Sequence, residues 1–252
     1  MSFEANIYRS KKELNLLVSG CFLLFSFETS AVAADVEPDL ALYDRGLELY
    51  QKQCAECHGE TGEGDGQLAS KQVTAPRNFT IGNFKFRTTG LAGYPARQDI
   101  VQTLDRGIIG SAGASMPSFI ELPLEDKYAL AEVVRVFAEI PEFDEPIAIP
   151  AFPGRSDPNE GARLFNEAGC VDCHGIDGDG NGILAADLKD ADGYPIQPAN
   201  FTIGAFKGGD LPNELWMRIF SGLDGTPMPS FQSSLEDNEI WALVEYVQAF
   251  KK

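Results

Sequence analysis

Two pentapeptides hold the residue types that could do chemistry. Cys54-Ala55-Glu56-Cys57-His58 and Cys170-Val171-Asp172-Cys173-His174 both read C-x-x-C-H, the spacing of covalent haem attachment. Two thiols three positions apart can each add to one vinyl group of the same porphyrin. The His that follows can turn its imidazole onto the iron. The chain has only two His, both in these motifs, and four of its five Cys sit there as well. Haem bound at both places would set most of what the protein can do.

Other chemistries of the same residues fit less well. Two C-x-x-C pairs can build a four-thiolate zinc site. Here the pairs lie 116 residues apart and each is followed by His. Redox C-x-x-C chemistry goes with a thioredoxin-like strand pattern, which is missing. Asp177-Gly178-Asp179-Gly180-Asn181-Gly182 fits the start of an EF-hand loop. Its twelfth position is Leu188 rather than Glu, and the first motif is followed by Glu63-Gly64-Asp65-Gly66 instead. The stretch therefore reads as a glycine-rich turn.

A haem iron held by one His is open to oxygen or peroxide, whereas a second protein ligand closes it. No spare His exists, so two-histidine ligation within the chain is excluded. Met116 stands 58 residues after His58 and Met228 stands 54 after His174, each followed by Pro. Met217 lies in a helical pattern beside Trp216 and reads as core. A thioether opposite imidazole stabilises the ferrous state and raises the potential.

The elements that must position these groups come as one unit repeated. Asn78-Phe79-Thr80-Ile81-Gly82 recurs as Asn200-Phe201-Thr202-Ile203-Gly204, and Phe84-Lys85 as Phe206-Lys207. Met116-Pro117-Ser118-Phe119 recurs as Met228-Pro229-Ser230-Phe231, and Tyr128-Ala129-Leu130 as Trp241-Ala242-Leu243. The offset drifts through 116, 122, 112 and 113 residues, as short loop insertions around a kept scaffold would produce. Tyr43 to Gln53, Glu125 to Ala138 and Asp237 to Phe250 carry helical periodicity. Asp99 to Arg106 and Asn213 to Ser221 predict short middle helices, the second capped by Asn213. Between them lie Gly- and Pro-rich loops without strand alternation. Such copies bury little apolar core alone, and a haem would supply the missing mass. The expected division is a leader over 1–34, domains over 35–141 and 157–252, and a Pro-rich, semi-rigid linker over 142–156.

At the N-terminus Arg9, Lys11 and Lys12 precede the apolar stretch Leu14 to Phe27, and Ala31-Val32-Ala33 supplies an A-x-A cleavage site. This predicts export to the periplasm. Val18-Ser19-Gly20-Cys21 also resembles a lipobox, so membrane association would come through lipid on Cys21 or an uncleaved leader. A formal charge of −18 argues against nucleic acid as partner and for a redox protein with a basic docking surface. Dispersal in solution is the other reading of that charge.

The C-x-x-C-H motif, the later Met-Pro loop and the final aromatic-bearing helix together resemble class I cytochrome c, twice over the chain. The resemblance implies a mostly α fold, two tandem cytochrome c-like domains each wrapped around a covalent haem c. It implies thioethers on Cys54, Cys57, Cys170 and Cys173, proximal ligands His58 and His174, and distal ligands Met116 and Met228. Iron is then held by His58 with Met116 and by His174 with Met228. A proline carbonyl that orients the imidazole is expected at Pro76 and Pro198. Arg77, Lys85, Arg87, Lys207 and Trp216 could pair with propionates or line the pockets, and the basic ones could instead be surface charge. The implied function is one-electron carriage between respiratory partners, without catalytic residues. The rivals are a dihaem peroxidase or thiosulfate-oxidising enzyme, and a fixed electron-transfer subunit.

Overall fold

A computed structural model describes residues 36–72, 74–109, 115–155, 157–204 and 206–251. The expected leader, its cleavage site and Cys21 lie outside them. Among the described residues no helix is long and apolar enough to cross a membrane.

Each copy opens with a helix that runs into its motif. In the first copy these are α1 (Leu40–Gln53) and α2 (Ala55–His58), followed by α3 (Arg97–Arg106) and α4 (Leu124–Phe137). The second copy repeats the order as α5 (Pro158–Glu167), α6 (Cys170–His174), α7 (Pro212–Ser221) and α8 (Asp237–Ala249). Asp39 caps α1 by accepting from the backbone N–H groups of Ala41 and Leu42, as a short acidic side chain does at a helix start. The cap of α7 is not Asn213. Pro212 takes the first helical position, where a missing N–H costs nothing. Leu211 becomes the capping residue, and its N–H donates to the Glu214 carboxylate at 3.0 Å.

The fold class is mostly α, as the sequence indicates. One short antiparallel pair departs from the loop expectation: β1 (Ile108–Ile109) with β2 (Ser115–Met116), placing Ile108 opposite Met116.

The first and last helices of each copy cross at a glycine. A Cβ on Gly46 would fall on the Ala129 carbonyl of α4, and a Cβ on Gly161 would lie 2.6 Å from the Ala242 carbonyl oxygen of α8. Against these crossings pack Tyr50, Leu130 and Val134 in the first copy, and Phe165, Leu243 and Val247 in the second. A further cluster in the second copy joins Trp216, Met217, Ile240 and Trp241. The buried Arg135 donates to Glu132 and to the carbonyls of Glu37, Ile140 and Pro141, tying the segment before α1 and the segment after α4 to α4.

The two copies also touch. Arg106 of α3 pairs with Glu214 of α7, and both Arg106 and Arg218 donate to the Gly208 carbonyl. The Arg218 guanidinium lies 5.6 Å over the Phe86 ring. Arg87 is 3.0 Å from Asp224, and the Leu91 N–H donates to Gln232 at 2.8 Å. The connecting segment is extended yet docked on both sides. Ile147 N–H donates to the Thr88 carbonyl at 2.9 Å, and Phe152 meets the Trp241 ring edge-on at 5.3 Å.

Candidate haem sites

The motif helices α2 and α6 are one turn long, and a glycine-rich loop wraps back on each. Gly64 N–H donates to the His58 carbonyl and Gly180 N–H to the His174 carbonyl, both at 2.8 Å. Leu68 and Leu184 then donate to the carbonyls of Glu56 and Asp172 at 2.8 and 2.9 Å. These bonds satisfy the orphan carbonyls of the short helix and fix its side chains. Gly64 and Gly180 sit at φ +77° and +81°, where a side chain is strained, and a Cβ there would press the Pro76 or Pro198 carbonyl oxygen at 2.8 or 2.9 Å. The EF-hand-like stretch is thus this turn. Asp179 spends its carboxylate on the Asn181 N–H and side-chain amide, at 3.0 and 2.8 Å.

Both imidazoles are held the same way. His58 Nδ1 lies 3.0 Å from the Arg77 carbonyl oxygen, and His174 Nδ1 lies 3.2 Å from that of Ala199. Phe79 stacks on the first ring at 4.7 Å and Phe201 on the second at 4.5 Å. Pro76 and Pro198 are not the acceptors. Their carbonyls face Gly64 and Gly180, so the next residue in each loop turns its oxygen to the ring. Burial presses both histidine pKa values down. A neutral ring that donates from Nδ1 keeps its Nε2 lone pair for a metal.

The four motif cysteines are half-buried. Burial, with Cys57 close by, pushes the Cys54 thiol up to about 12, and burial pushes Cys170 up to about 11. A redox C-x-x-C site shows the opposite, a thiol lowered toward neutrality. Among the described residues no group of three or more His, Cys, Asp or Glu is placed to hold a bare metal ion.

Met116 and Met228 sit at matching places, both half-buried. Each begins a turn fastened to the end of the middle helix. Ser118 Oγ donates to the Asp105 carbonyl at 2.6 Å, and Ser230 Oγ to that of Phe220 at 2.7 Å. Phe119 and Phe231 N–H groups donate to the carbonyls of Leu104 and Ile219. Gly107 and Gly222 follow α3 and α7, and a Cβ on either would strike the Met-Pro-Ser backbone. Nothing in the residue pattern marks these two glycines. Met116, like Cys54, Phe79 and Phe84, packs against the first buried core. Met217 is 3% exposed and belongs to the core, as expected.

The surroundings fit a large apolar group that carries acids. Phe79, which stacks on His58, and Phe84, Phe119 and Phe137 pack against the first core and stay only partly buried. Two donors in the first copy, Arg87 Nε and Thr89 Oγ1, are buried without a hydrogen-bond partner among the described residues. Arg77 and Lys85 lie where the copies meet, close to Asp190 and Asp192. Lys207 is exposed beside them. Trp216 serves the core instead: it stacks on Phe220 at 4.7 Å and donates to the Asp237 carbonyl.

Comparison with known proteins agrees with this geometry. Residues 41–132 match the family model described as cytochrome c oxidase, cbb3-type, subunit III, and residues 158–251 match that described as cytochrome c. One chain of the Kuenenia stuttgartiensis reducing HAO-like protein complex Kustc0457/Kustc0458 superposes with a TM-score of 0.78 and 35% identity. That match covers 86% of this chain and 100% of that one. The cbb3-type cytochrome c oxidase subunit CcoP of Helicobacter pylori is 27% identical over 215 residues, and so is that of strain 52. Those alignments cover 83% of this chain but only 59% of the relatives' length. Two tandem family domains imply two covalently bound haem c groups. With the paired histidines, the Met-Pro turns and a relative at this identity across its whole length, the chain belongs to the cytochrome c family, as a protein of two cytochrome c domains in tandem.

Proposed function

We propose that this cytochrome passes single electrons as a fixed subunit of a multi-protein redox assembly, exported to the periplasm. One observation carries the reading. At both motifs an imidazole has Nδ1 committed to a carbonyl, and a methionine begins a turn fastened to the preceding helix. In this reading Cys54 and Cys57, and Cys170 and Cys173, carry the thioether links. His58 with Met116, and His174 with Met228, would hold the two irons through imidazole nitrogen and thioether sulfur. Bound there, each haem supplies a one-electron ferrous–ferric couple. An iron held by two side chains would offer no site to peroxide or a sulfur substrate, which favours carriage over turnover. The domains run over 35–141 and 157–252, and the linker over 142–156 braces them by its contacts with both copies.

A fixed subunit is preferred to a free shuttle because the relatives are named as a subunit and as part of a complex. The acidic surface then meets a basic face on the neighbouring protein. Purification from native membranes and soluble fractions tests this. A stable co-eluting redox protein is expected, whereas a cytochrome that runs alone in every fraction refutes the fixed assembly. Peroxide or thiosulfate turnover with a native electron donor would refute the carrier role itself.

A further inference from the structure

The loops that follow the two motifs differ in length. Asn78 stands 20 residues after His58, but Asn200 stands 26 after His174. The short turns Ala69–Lys71 and Ala185–Asp187 still match, and so do Pro76 and Pro198. The six extra residues therefore fall between Leu188 and Pro195. They close on themselves. Lys189 pairs antiparallel with Pro195, Asp190 N–H donates to the Tyr194 carbonyl at 2.9 Å, and Gly193 N–H donates to that of Asp190 at 2.9 Å. Asp190 Oδ1 accepts from the Asp192 and Tyr194 N–H groups at 3.1 and 3.0 Å. An aspartate that caps its own turn in this way presets the shape of a small hairpin.

The hairpin is fastened where the second copy meets the first. Ala191 N–H donates to the Gly225 carbonyl at 2.9 Å. A Cβ on Gly225 would lie 3.1 Å from Asn83 Nδ2 of the first copy. The neighbouring Asp224 is 3.0 Å from Arg87 Nη1 and accepts from the Phe84 N–H. Burial presses the Arg77 guanidinium down in pKa, and Asp192, Asp190 and Asp224 pull against it. The second copy thus acts on the first at 77, 83, 84 and 87. These positions lie on the segment that holds the first imidazole. The Arg77 carbonyl oxygen is 3.0 Å from His58 Nδ1, and Phe79 stacks on the ring at 4.7 Å. The first copy is six residues shorter here and has no such hairpin to offer in return.

We propose that the 189–194 hairpin and the Asp224-Gly225 turn form a clasp by which the second copy positions His58 of the first. Arg77, Asp190 and Asp192 are positioning residues: they fix a carbonyl, and the carbonyl fixes the ring. A firm acceptor on Nδ1 makes the imidazole more basic, which favours ferric iron. Releasing the segment therefore raises the ferrous share at the first haem. The inference rests on haem occupying the first motif, which a haem count on each protein checks separately.

The test uses the full haem-loaded chain. Asp190→Asn together with Asp192→Asn removes two charges, and the asparagine at 190 keeps the oxygen that closes the hairpin. Arg77→Gln keeps the backbone carbonyl that faces His58. Hydrogen exchange by mass spectrometry is read over 77–87. Redox titration reads the first step, identified as the one displaced by Met116→Ala. The paired asparagines are expected to speed exchange over 77–87 by about threefold to fivefold, the worth of a partly exposed ion pair. Exchange over 199–204, the matching segment of the second copy, stays as it was. The ferrous-to-ferric ratio of the first step should rise about twofold at fixed potential. On the Arg77→Gln background the same pair should move that step less than about half as far, whereas charge acting alone adds in full. The proposal is overturned if exchange over 77–87 does not change, or if it changes and the first step stays in place. A shift of the same size on both backgrounds overturns it equally. A parent with fewer than two haems overturns the haem reading instead, and exchange over 77–87 then decides the clasp alone.

Discussion

A single methyl at Gly46 sets two effects of opposite sign against each other. In an exposed helix interior, Gly→Ala stabilises by about 1 kcal/mol, because alanine has less backbone freedom to lose. At Gly46 the added Cβ would fall on the Ala129 carbonyl oxygen, 2.5 Å from its carbon and 2.9 Å from Val133 Cγ2. Ala129 and Val133 are 0% exposed, and the carbonyl belongs to the middle of α4, so neither can swing aside. Carbon atoms settle at about 3.5–4.0 Å, so α1 and α4 must part by about an ångström. Overpacking of this kind costs about 1–3 kcal/mol, and the parted helices also loosen the layer of Tyr50, Leu130 and Val134. The net expectation is a loss of about 2 kcal/mol, which lowers the melting of a domain of this size by about 10 °C. Thermal and urea unfolding of the haem-loaded chain, followed by haem absorbance, reads it directly. Gly161→Ala should act in the same direction, because its Cβ would lie 2.6 Å from both the Ala242 oxygen and Tyr246 Cβ. A Gly46→Ala protein as stable as the parent, or more so, would refute the close crossing and leave only helix propensity.

Met116→Ala and Met228→Ala should each remove about half of the red-end sulfur-to-iron band, lower one potential and open one iron to carbon monoxide. Met217→Ala should leave the band intact and cost about 2–5 kcal/mol of stability, as loss of a buried core side chain does. Glu132→Ala strands the buried Arg135 guanidinium and should cost about 3–5 kcal/mol in urea unfolding. Burial pushes the Glu132 carboxyl up, but Arg135 and the Asp39 N–H outweigh it and hold it below the ordinary range. Its contribution is therefore full above the unfolded value of about 4.3 and is lost as pH falls through the lower folded value. The gap between parent and Glu132→Gln should close in acid. Electron transfer to a basic redox protein should slow as salt is raised, measured by stopped flow between low and physiological ionic strength.

Much of this was legible in residue types and their spacing. The motifs, the duplication and the Met-Pro turns are local strings, and apolar periodicity placed α4 and α8 within a residue of their ends. The core position of Met217 followed from its helix and its neighbour Trp216. What stayed hidden depends on backbone atoms or on residues far apart in the chain. A carbonyl that holds a histidine belongs to any residue type, so Arg77 and Ala199 carry no signature and the neighbouring prolines were the wrong choice. Gly107 and Gly222 matter only because a later turn folds onto them. The pairs that join the copies, Arg106 with Glu214 and Arg87 with Asp224, span more than a hundred residues and need the fold to bring them together. The cap of α7 moved because proline at the first helical position outranked the asparagine after it.

The central claim is that both motifs carry haem and that each pairs a histidine with a methionine. The most direct test is a pyridine haemochrome count on the purified chain after acid–acetone extraction, read with the ferric absorbance of the same sample. Two haems per chain that survive extraction are expected, with a sulfur-to-iron band of twice the single-site intensity. One haem per chain, or two haems with no such band, would contradict it.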